Sequence, residues 1–282
     1  MIFTFVILHY MSFEDTYECV ESILKNLTHS NNIIIVDNNS VNNSFNQLKE
    51  IYSSFHNVHL IQNKENIGFA KGNNVGYNYA KYNLKSDFII LINNDTIIKQ
   101  ENFCEKIEEV YRKENFAVLG PKITSLIDGQ NQNPIPYSLY DKKKVIKRLI
   151  KFNILYLLSY INLDQYFEKE RYDYNFSFGD ENYQLFGCCF IFSKKYIDLF
   201  DGLFNKTFMY LEEDILKFIC DEEKLKMLYS QDIEIFHKEG SSTKKVLKKV
   251  AKRRFYYLNT IKSLKLLNKF YNSKLNYKEY MK

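Results

Sequence analysis

With only 3 prolines and 9 glycines among 282 residues, the chain has no room for collagen-like repeats or low-complexity sequence. Cysteine is scarce too. Cys19, Cys104, Cys188, Cys189 and Cys220 make an odd total with no C-x-x-C spacing, which speaks for reduced, small core residues in a cytoplasmic protein. A basic leader and a small-residue cleavage site are missing. Met1 runs straight into Ile2-Phe3-Thr4-Phe5-Val6-Ile7-Leu8, which reads as a strand rather than a secretory signal. A membrane-spanning run is missing as well, since the uncharged stretch 152–163 falls short of the roughly 20 apolar residues that a bilayer span needs.

What the chain does have is apolar and aromatic mass. It is 45% hydrophobic and 26% charged with 23 Tyr and 23 Phe, enough to bury one large core or one core with a smaller satellite. The net charge of +5 is modest, but its placement is uneven. Residues 244–282 hold thirteen Lys or Arg against a single acid, Glu279, and a second basic run sets Lys142, Lys143, Lys144, Lys147, Arg148 and Lys151 before an apolar stretch.

Along residues 1–120, short apolar runs alternate with amphipathic segments, the pattern of βαβ units on a largely parallel sheet. Strands are expected at 2–8, 33–36, 58–61, 88–92 and 116–120, and helices at 13–27, with Ser12 as N-cap, 68–82 and 100–113. Pro121, Gly129, Pro134 and Pro136 then mark loops. A strand at 186–192, a helix at 212–220, a strand at 233–236 ending on His237, and a basic helical region from Ser242 follow. No internal repeat is present.

Polar residues gather where these strands end. Asp37-Asn38-Asn39-Ser40 and Asn93-Asn94-Asp95 both follow apolar strands, and ligands of open α/β sheets bind at that edge. Asp37 can accept from a base NH or a ribose hydroxyl, or close an ordinary Asx turn. In Asn66-Ile67-Gly68-Phe69-Ala70-Lys71-Gly72-Asn73-Asn74-Val75-Gly76, three glycines sit at a loop-to-helix junction. They suit backbone amides facing a ligand at the helix N-terminus, with close helix packing as the plainer reading. Asp95 offers a hard oxygen ligand for Mg²⁺ or Mn²⁺, and His237 a nitrogen for the same ion. Glu212-Glu213-Asp214 follows the apolar Phe208-Met209-Tyr210. Carboxylates so placed are raised toward neutral pKa by desolvation and suit a general base, although acids also favour the first turn of any helix.

Taken together, these residues resemble the family 2 glycosyltransferases with the GT-A fold, especially the rhamnosyltransferase-like and capsular polysaccharide branch. The likeness covers most of the chain. It runs from Ile7-Leu8-His9-Tyr10 through Asp37-Asn38-Asn39-Ser40, the Asn66–Gly76 glycine motif, Asn93-Asn94-Asp95, Gly187 and Phe208-Met209-Tyr210-Leu211-Glu212-Glu213-Asp214 to His237-x-x-Gly240-Ser241-Ser242. It implies an α/β, mostly parallel Rossmann-like sheet flanked by helices. The expected layout is a catalytic domain over 1–241 with a donor half 1–120, an acceptor half 121–241 and an insertion at 140–180, followed by a basic helical segment 242–282. The resemblance further implies inverting, metal-dependent transfer from a nucleotide-diphosphate sugar of dTDP-rhamnose or UDP-hexose type to a glycan acceptor, in cell-surface polysaccharide synthesis. By the same resemblance His9, Asp37, Asn39, Asn66, Gly68, Phe69, Gly72, Asn73 and Asn94 form the donor pocket. Asp95 and His237 serve a Mn²⁺ or Mg²⁺ ion, and Glu213 and Asp214 supply the base, Asp214 being favoured. Two positions depart from the family: Asn93 replaces the first Asp of Asp-x-Asp, and Phe204-Asn205-Lys206 stands where Phe-Asp-Glu is usual.

Val246, Val250, Tyr257, Ile261 and Leu264 recur at helical spacing among the C-terminal lysines, which suits a face lying on anionic lipid, and 142–163 has the same character. A solvated helix packed on the catalytic domain suits both equally. The lipid reading places the protein at the inner membrane face, within reach of a lipid-linked acceptor. A sugar nucleotidyltransferase is disfavoured because His9-Tyr10-Met11-Ser12 replaces the expected glycine-rich loop after the first strand. A nucleic-acid partner ranks far below, with only +5 net charge and no module that explains the glycine motif. A non-catalytic scaffold of the same fold is the remaining alternative.

Overall fold

The computed structural model describes residues 1–27, 31–139, 141–167, 182–239 and 249–281. Gly240, Ser241 and Ser242 of the late histidine motif, together with Val246 and the rest of 240–248, lie outside the described residues, as do 168–181 of the expected insertion.

Among the described residues, the first half lays down β1 (Phe3–His9), α1 (Phe13–Asn26), β2 (Asn31–Asp37), α2 (Ser44–Tyr52), β3 (Val58–Gln62), α3 (Phe69–Tyr82), β4 (Phe88–Asn93), β5 (Thr96–Ile97), α4 (Phe103–Glu114) and β6 (Val118–Ser125). The second half adds β7 (Ile135–Pro136), α5 (Lys142–Leu158), β8 (Tyr183–Gln184), β9 (Cys189–Ser193), α6 (Lys194–Ile197), α7 (Glu212–Glu222), β10 (Met227–His237) and α8 (Lys249–Phe270). Eight strands form one sheet in the order β3-β2-β1-β4-β9-β6-β10-β5. The first four run parallel, β6 and β10 are parallel to each other, and β9 runs antiparallel to both β4 and β6. Short β5 closes the far edge antiparallel to β10.

The continuous apolar runs of β1, β2 and β4 follow from burial on both faces, which parallel strands covered by crossover helices require. Alternate side chains divide between two cores. Phe3, Phe5, Ile7, Ile33, Ile35, Ile90 and Ile92 meet α1, α2 and α4 on one face. Val6, Ile34, Val36, Ile89 and Leu91 meet α3, α7 and α8 on the other. Each such buried side chain contributes about 1.5–3 kcal/mol.

The structure departs from the sequence expectations in several places. Ser12 occupies the α1 N-cap without a capping bond from its side chain; its hydroxyl donates to Asp15 Oδ2 at 2.6 Å. Helix α2 was not anticipated, since its buried Phe45, Leu48 and Tyr52 are sunk in an Asn- and Ser-rich stretch. The strand expected at 186–192 starts only at Cys189, after a turn at Gly187 and Cys188. Pro121 lies within β6 instead of ending it, because β9 pairs only with Val118 and Leu119 and the strand continues on β10 alone. Strand β10 begins six residues earlier than expected, with a register shift between Ser230 and Glu234 where polar residues hid it.

The C-terminal helix also differs. Tyr257, Ile261 and Leu264, which suited a lipid face and a packed helix equally, are buried in the core that α3 and α7 share. Arg253 secures the helix through Asp164, with Nε 2.6 Å from Oδ2, and the Tyr257 hydroxyl donates to the same oxygen at 3.0 Å. Among the described residues, no helix is long and apolar enough to cross a membrane. All five cysteines are free and buried.

Candidate active site

The polar strand ends converge at one edge of the sheet. Thr96 of β5 pairs with His237 at the end of β10, and this pairing carries Asp95 to the imidazole. His237 Nε2 lies 3.4 Å from Asp95 Oδ1, both side chains being less than a tenth exposed. Sequence reasoning had named both residues. It had not found what orients the ring. Glu239 accepts from Gln132 Nε2 at 2.7 Å and from the Ser125 hydroxyl, which turns the Gln132 carbonyl oxygen toward His237 Nδ1 at 2.8 Å. That oxygen can only accept, so Nδ1 carries a proton and Nε2 is the ring nitrogen turned to Asp95, free to offer its lone pair to a cation there. Two acceptors facing each other fit a cation between them, and a histidine ligand held by an outer hydrogen bond is the usual arrangement around a metal. Among the described residues, no group of three or more His, Cys, Asp or Glu side chains is able to hold a metal. The pair therefore offers one oxygen and one nitrogen, leaving further positions to phosphate oxygens of a ligand.

A run of contacts leads from this pair to α7. The Phe186 ring packs edge-on against His237 with centroids 6.0 Å apart. The next residue, Gly187, donates its N–H to Glu213 Oε1 at 3.2 Å. A Cβ at Gly187 would meet that carboxylate and displace the Glu213 side chain from this bond. Desolvation raises all three carboxyls of the α7 first turn. Burial pushes Glu212 up to about 8, with the Glu213 charge adding to it, while Glu213 itself rises for the same cause. Burial also pushes Asp214 up to about 7, against the pull of Arg148. The three point differently. Glu212 accepts from the Thr207 hydroxyl at 3.0 Å, and Asp214 is buried beside Gln184. Glu213 is the one of the three that is only half-buried.

On the other side of the edge, Asp37 ends β2 fully buried, its carboxylate accepting from the Ser40 N–H at 3.1 Å and from Gln62 Nε2 at 3.0 Å. Asn39, half-buried, follows in the left-handed region at φ 62°. His9 is fully buried, with Nδ1 2.7 Å from the Thr16 hydroxyl and Nε2 2.8 Å from that of Ser44. Burial pushes its imidazole down to about 4. Both ring nitrogens are thus engaged inside the protein, and the residue ties β1 to α1 and α2. Asn94 reaches the same Thr16 hydroxyl at 3.0 Å, which binds the β4 end to this network.

The glycine motif is a seam between parts of the protein. Gly72 and Gly76 face Leu8, Val6 and Val36, so they let α3 sit tightly on β1 and β2. Gly68 adopts φ 89°, and a Cβ there would strike the Phe208 carbonyl, to which the Phe69 N–H donates at 2.7 Å. Asn66 accepts from Asn38 Nδ2 at 2.9 Å, and Asn73 is turned back on the Phe69 carbonyl of its own helix at 3.1 Å. Asn74 exchanges two hydrogen bonds with the Leu203 backbone. For Gly72, close packing accounts for the residue without a ligand. Asn38, passed over as a site candidate, holds this loop through Asn66, Asn63 and the Ile67 N–H.

Comparison with known proteins agrees with this architecture. Residues 4–199 match the family model described as Glycosyl transferase family 2. A hexosyltransferase of low-salt glycan biosynthesis, Agl10 from Haloferax volcanii, is 25% identical over 133 residues, 46% of this chain and 40% of that protein. The glycosyltransferase GlyG from Streptococcus pneumoniae is 31% identical over 104 residues, covering 36% of this chain and 33% of its own. The matched stretch is thus less than half the length of either relative. Among solved structures, residues 1–349 of S. aureus TarS in complex with UDP give a TM-score of 0.53 at 15% identity, over 98% of this chain and 76% of that one. GalNAc-T7 with UDP, GalNAc and Mn²⁺ gives 0.59 at 12%, over 91% and 47%. At such identity the structures speak for the fold, a mostly parallel central sheet flanked by helices. The family match spans well over half of the chain, and the chain belongs to glycosyl transferase family 2.

Proposed function

We propose that this protein moves a sugar, with inversion, from a nucleoside diphosphate donor of UDP-hexose or dTDP-rhamnose type onto a hydroxyl of a cell-surface glycan. The observation that carries this reading is the facing pair Asp95 and His237, joined through Phe186 and Gly187 to the half-buried carboxylate of Glu213. The UDP-GlcNAc of one solved neighbour and the UDP with GalNAc of another make a UDP-hexose the first donor to test.

Asp37 and Asn39 receive the base and ribose at the end of β2. The loop from Asn66 to Phe69, braced by Asn38, closes over the donor, with Gly72 and Asn73 setting how closely α3 approaches the sheet. His9 and Asn94 hold the strand ends in register. Asp95 and His237 would hold a Mn²⁺ or Mg²⁺ ion together with the diphosphate oxygens. When bound, the ion neutralises charge that develops on the leaving phosphate. Glu213 accepts the proton of the acceptor hydroxyl as its oxygen bonds to the anomeric carbon and the bond from that carbon to the phosphate oxygen breaks. We assign the base to Glu213 over Asp214 because Glu213 is half-buried and bonded to the Gly187 N–H, whereas Asp214 is buried beside Gln184. Desolvation suits either carboxyl to this work by raising it toward neutral pH.

The test is a donor screen with the full chain, Mn²⁺ or Mg²⁺ and a panel of UDP- and dTDP-sugars, reading donor hydrolysis and thermal shift. One donor is expected to stabilise the protein and turn over only with metal, and Asp95→Ala to lower turnover on the order of 100-fold. Metal-independent turnover, or an Asp95→Ala variant as active as the parent, overturns the assignment.

A further inference from the structure

Helix α5 has two apolar faces where a helix packed on one side needs only one. Val145, Phe152 and Leu155 are buried in the core. On the opposite side Ile146, Ile150, Ile154 and Leu157 recur at helical spacing and remain 37%, 56%, 51% and 68% exposed. Past the helix end, Tyr160, Ile161, Tyr166 and Phe167 are exposed as well. A contiguous apolar patch of this kind on a soluble surface marks an interaction site.

The charges around the stripe indicate what covers it. Lys142, Lys143, Lys147 and Lys151 are exposed on the same helix, and residues 142–163 contain no Asp or Glu. At 3.6 residues per turn, Lys147 and Lys151 border the stripe on one side and Lys142 on the other. The lysines occupy the first three turns, and the apolar and aromatic side chains the end that follows. An apolar stripe edged by lysines, with aromatic residues at one end, is suited to lie in the plane of a bilayer, ammonium groups at the anionic headgroups and isoleucines below them. A second copy of this chain would bring one acid-free basic surface against another. The helix is too short and too charged to cross the membrane.

We propose that α5 is a membrane-docking helix that lays Ile146, Ile150, Ile154 and Leu157 into the surface of an anionic bilayer. The same helix carries Arg148, whose charge acts on Asp214 of α7, so docking holds the α7 side of the site close to the lipid. This inference stands apart from the sugar-transfer reading, because it concerns a surface and not the cleft.

The experiment is co-sedimentation of the full chain with phosphatidylcholine vesicles and with vesicles that also contain phosphatidylglycerol, at low and high salt. Wild type is expected to pellet with the anionic vesicles at low salt, to be partly released by high salt, and to stay in solution with phosphatidylcholine alone. The triple variant Ile150→Ser, Ile154→Ser, Leu157→Ser and the charge variant Lys143→Glu, Lys147→Glu should each lower the bound fraction by about tenfold or more. Their melting temperature and circular dichroism should match wild type, and Lys262→Glu with Lys265→Glu on α8 should bind as wild type does. Absence of binding to anionic vesicles at low salt overturns the proposal, as does undiminished binding by the triple variant. A wild-type dimer in light scattering that the triple variant abolishes also overturns it and gives the face to a second copy.

Discussion

The two basic helices α5 and α8 read alike in the sequence and pack against each other, yet they meet opposite fates. Helix α8 turns Tyr257, Ile261, Leu264 and Leu267 into the core and is secured by Arg253 on Asp164. Helix α5 buries Val145, Phe152 and Leu155 and leaves a second apolar stripe outside. Helical spacing of apolar residues says that something must cover them. Whether that cover is the protein's own core depends on how many helices already occupy the sheet face, which no local pattern records.

The largest effect that would sharpen this contrast is a matched pair of core and stripe substitutions. Leu264→Ala is expected to destabilise the protein by about 2–5 kcal/mol through cavity formation, whereas Ile154→Ala changes stability by roughly 0.5 kcal/mol or less. Urea denaturation of both variants checks this. Equal losses would mean that the stripe is covered in the free protein and would erase the distinction.

A smaller effect is expected where the cleft depends on residues outside both helices. Gln132→Leu removes the acceptor that fixes the His237 tautomer and should weaken Mn²⁺ binding by roughly 10–100-fold, read by calorimetry in the presence of UDP. Unchanged affinity in Gln132→Leu would leave the relay a purely structural feature.

The smallest effect tests the single charge that α5 sends inward. Glu212 and Asp214 titrate at about 8 and about 7 in the folded protein, above their ordinary values near 4. The unfolded chain releases these protons first, so the folded state holds more of them over this interval and stability falls as pH rises, the loss being complete above about 8. Arg148 opposes this at Asp214. Arg148→Met should therefore carry the decline in melting temperature to higher pH, and a profile identical to wild type would show that α5 exerts no charge on the cleft. The corresponding exchange on α8, Lys262→Met, should leave the profile in place.

Much of the fold was legible because its signals are local. Residues 3–9, 31–37 and 88–93 are runs of β-branched and aromatic side chains bounded by polar ones, and two-sided burial produces that composition. Asp95 and His237 could be paired as candidates because one follows and the other closes an apolar strand. Other features were not legible. Gln132 lies in an irregular loop and Glu239 just past the end of β10, with no periodicity to mark either. The proposal of Glu213 over Asp214 turns on a rotation of about 100° about the α7 axis, and adjacent positions in a sequence do not reveal it.

The glycine motif shows where the division lies. Its residue types announced a special junction, but the sequence did not say whether the glycines serve a ligand or the packing of the protein itself. By itself the sequence determined the strand and helix alternation, the family and the polar residues at the strand ends, since these rest on backbone preference and the partition of side chains from water. Tertiary structure alone decided that Gly72 and Gly76 seat α3 on the sheet, that Gln132 orients His237 and that one face of α5 stays open. Each of these depends on which surfaces the folded chain brings together, and that contact energy is shared between residues far apart in the sequence.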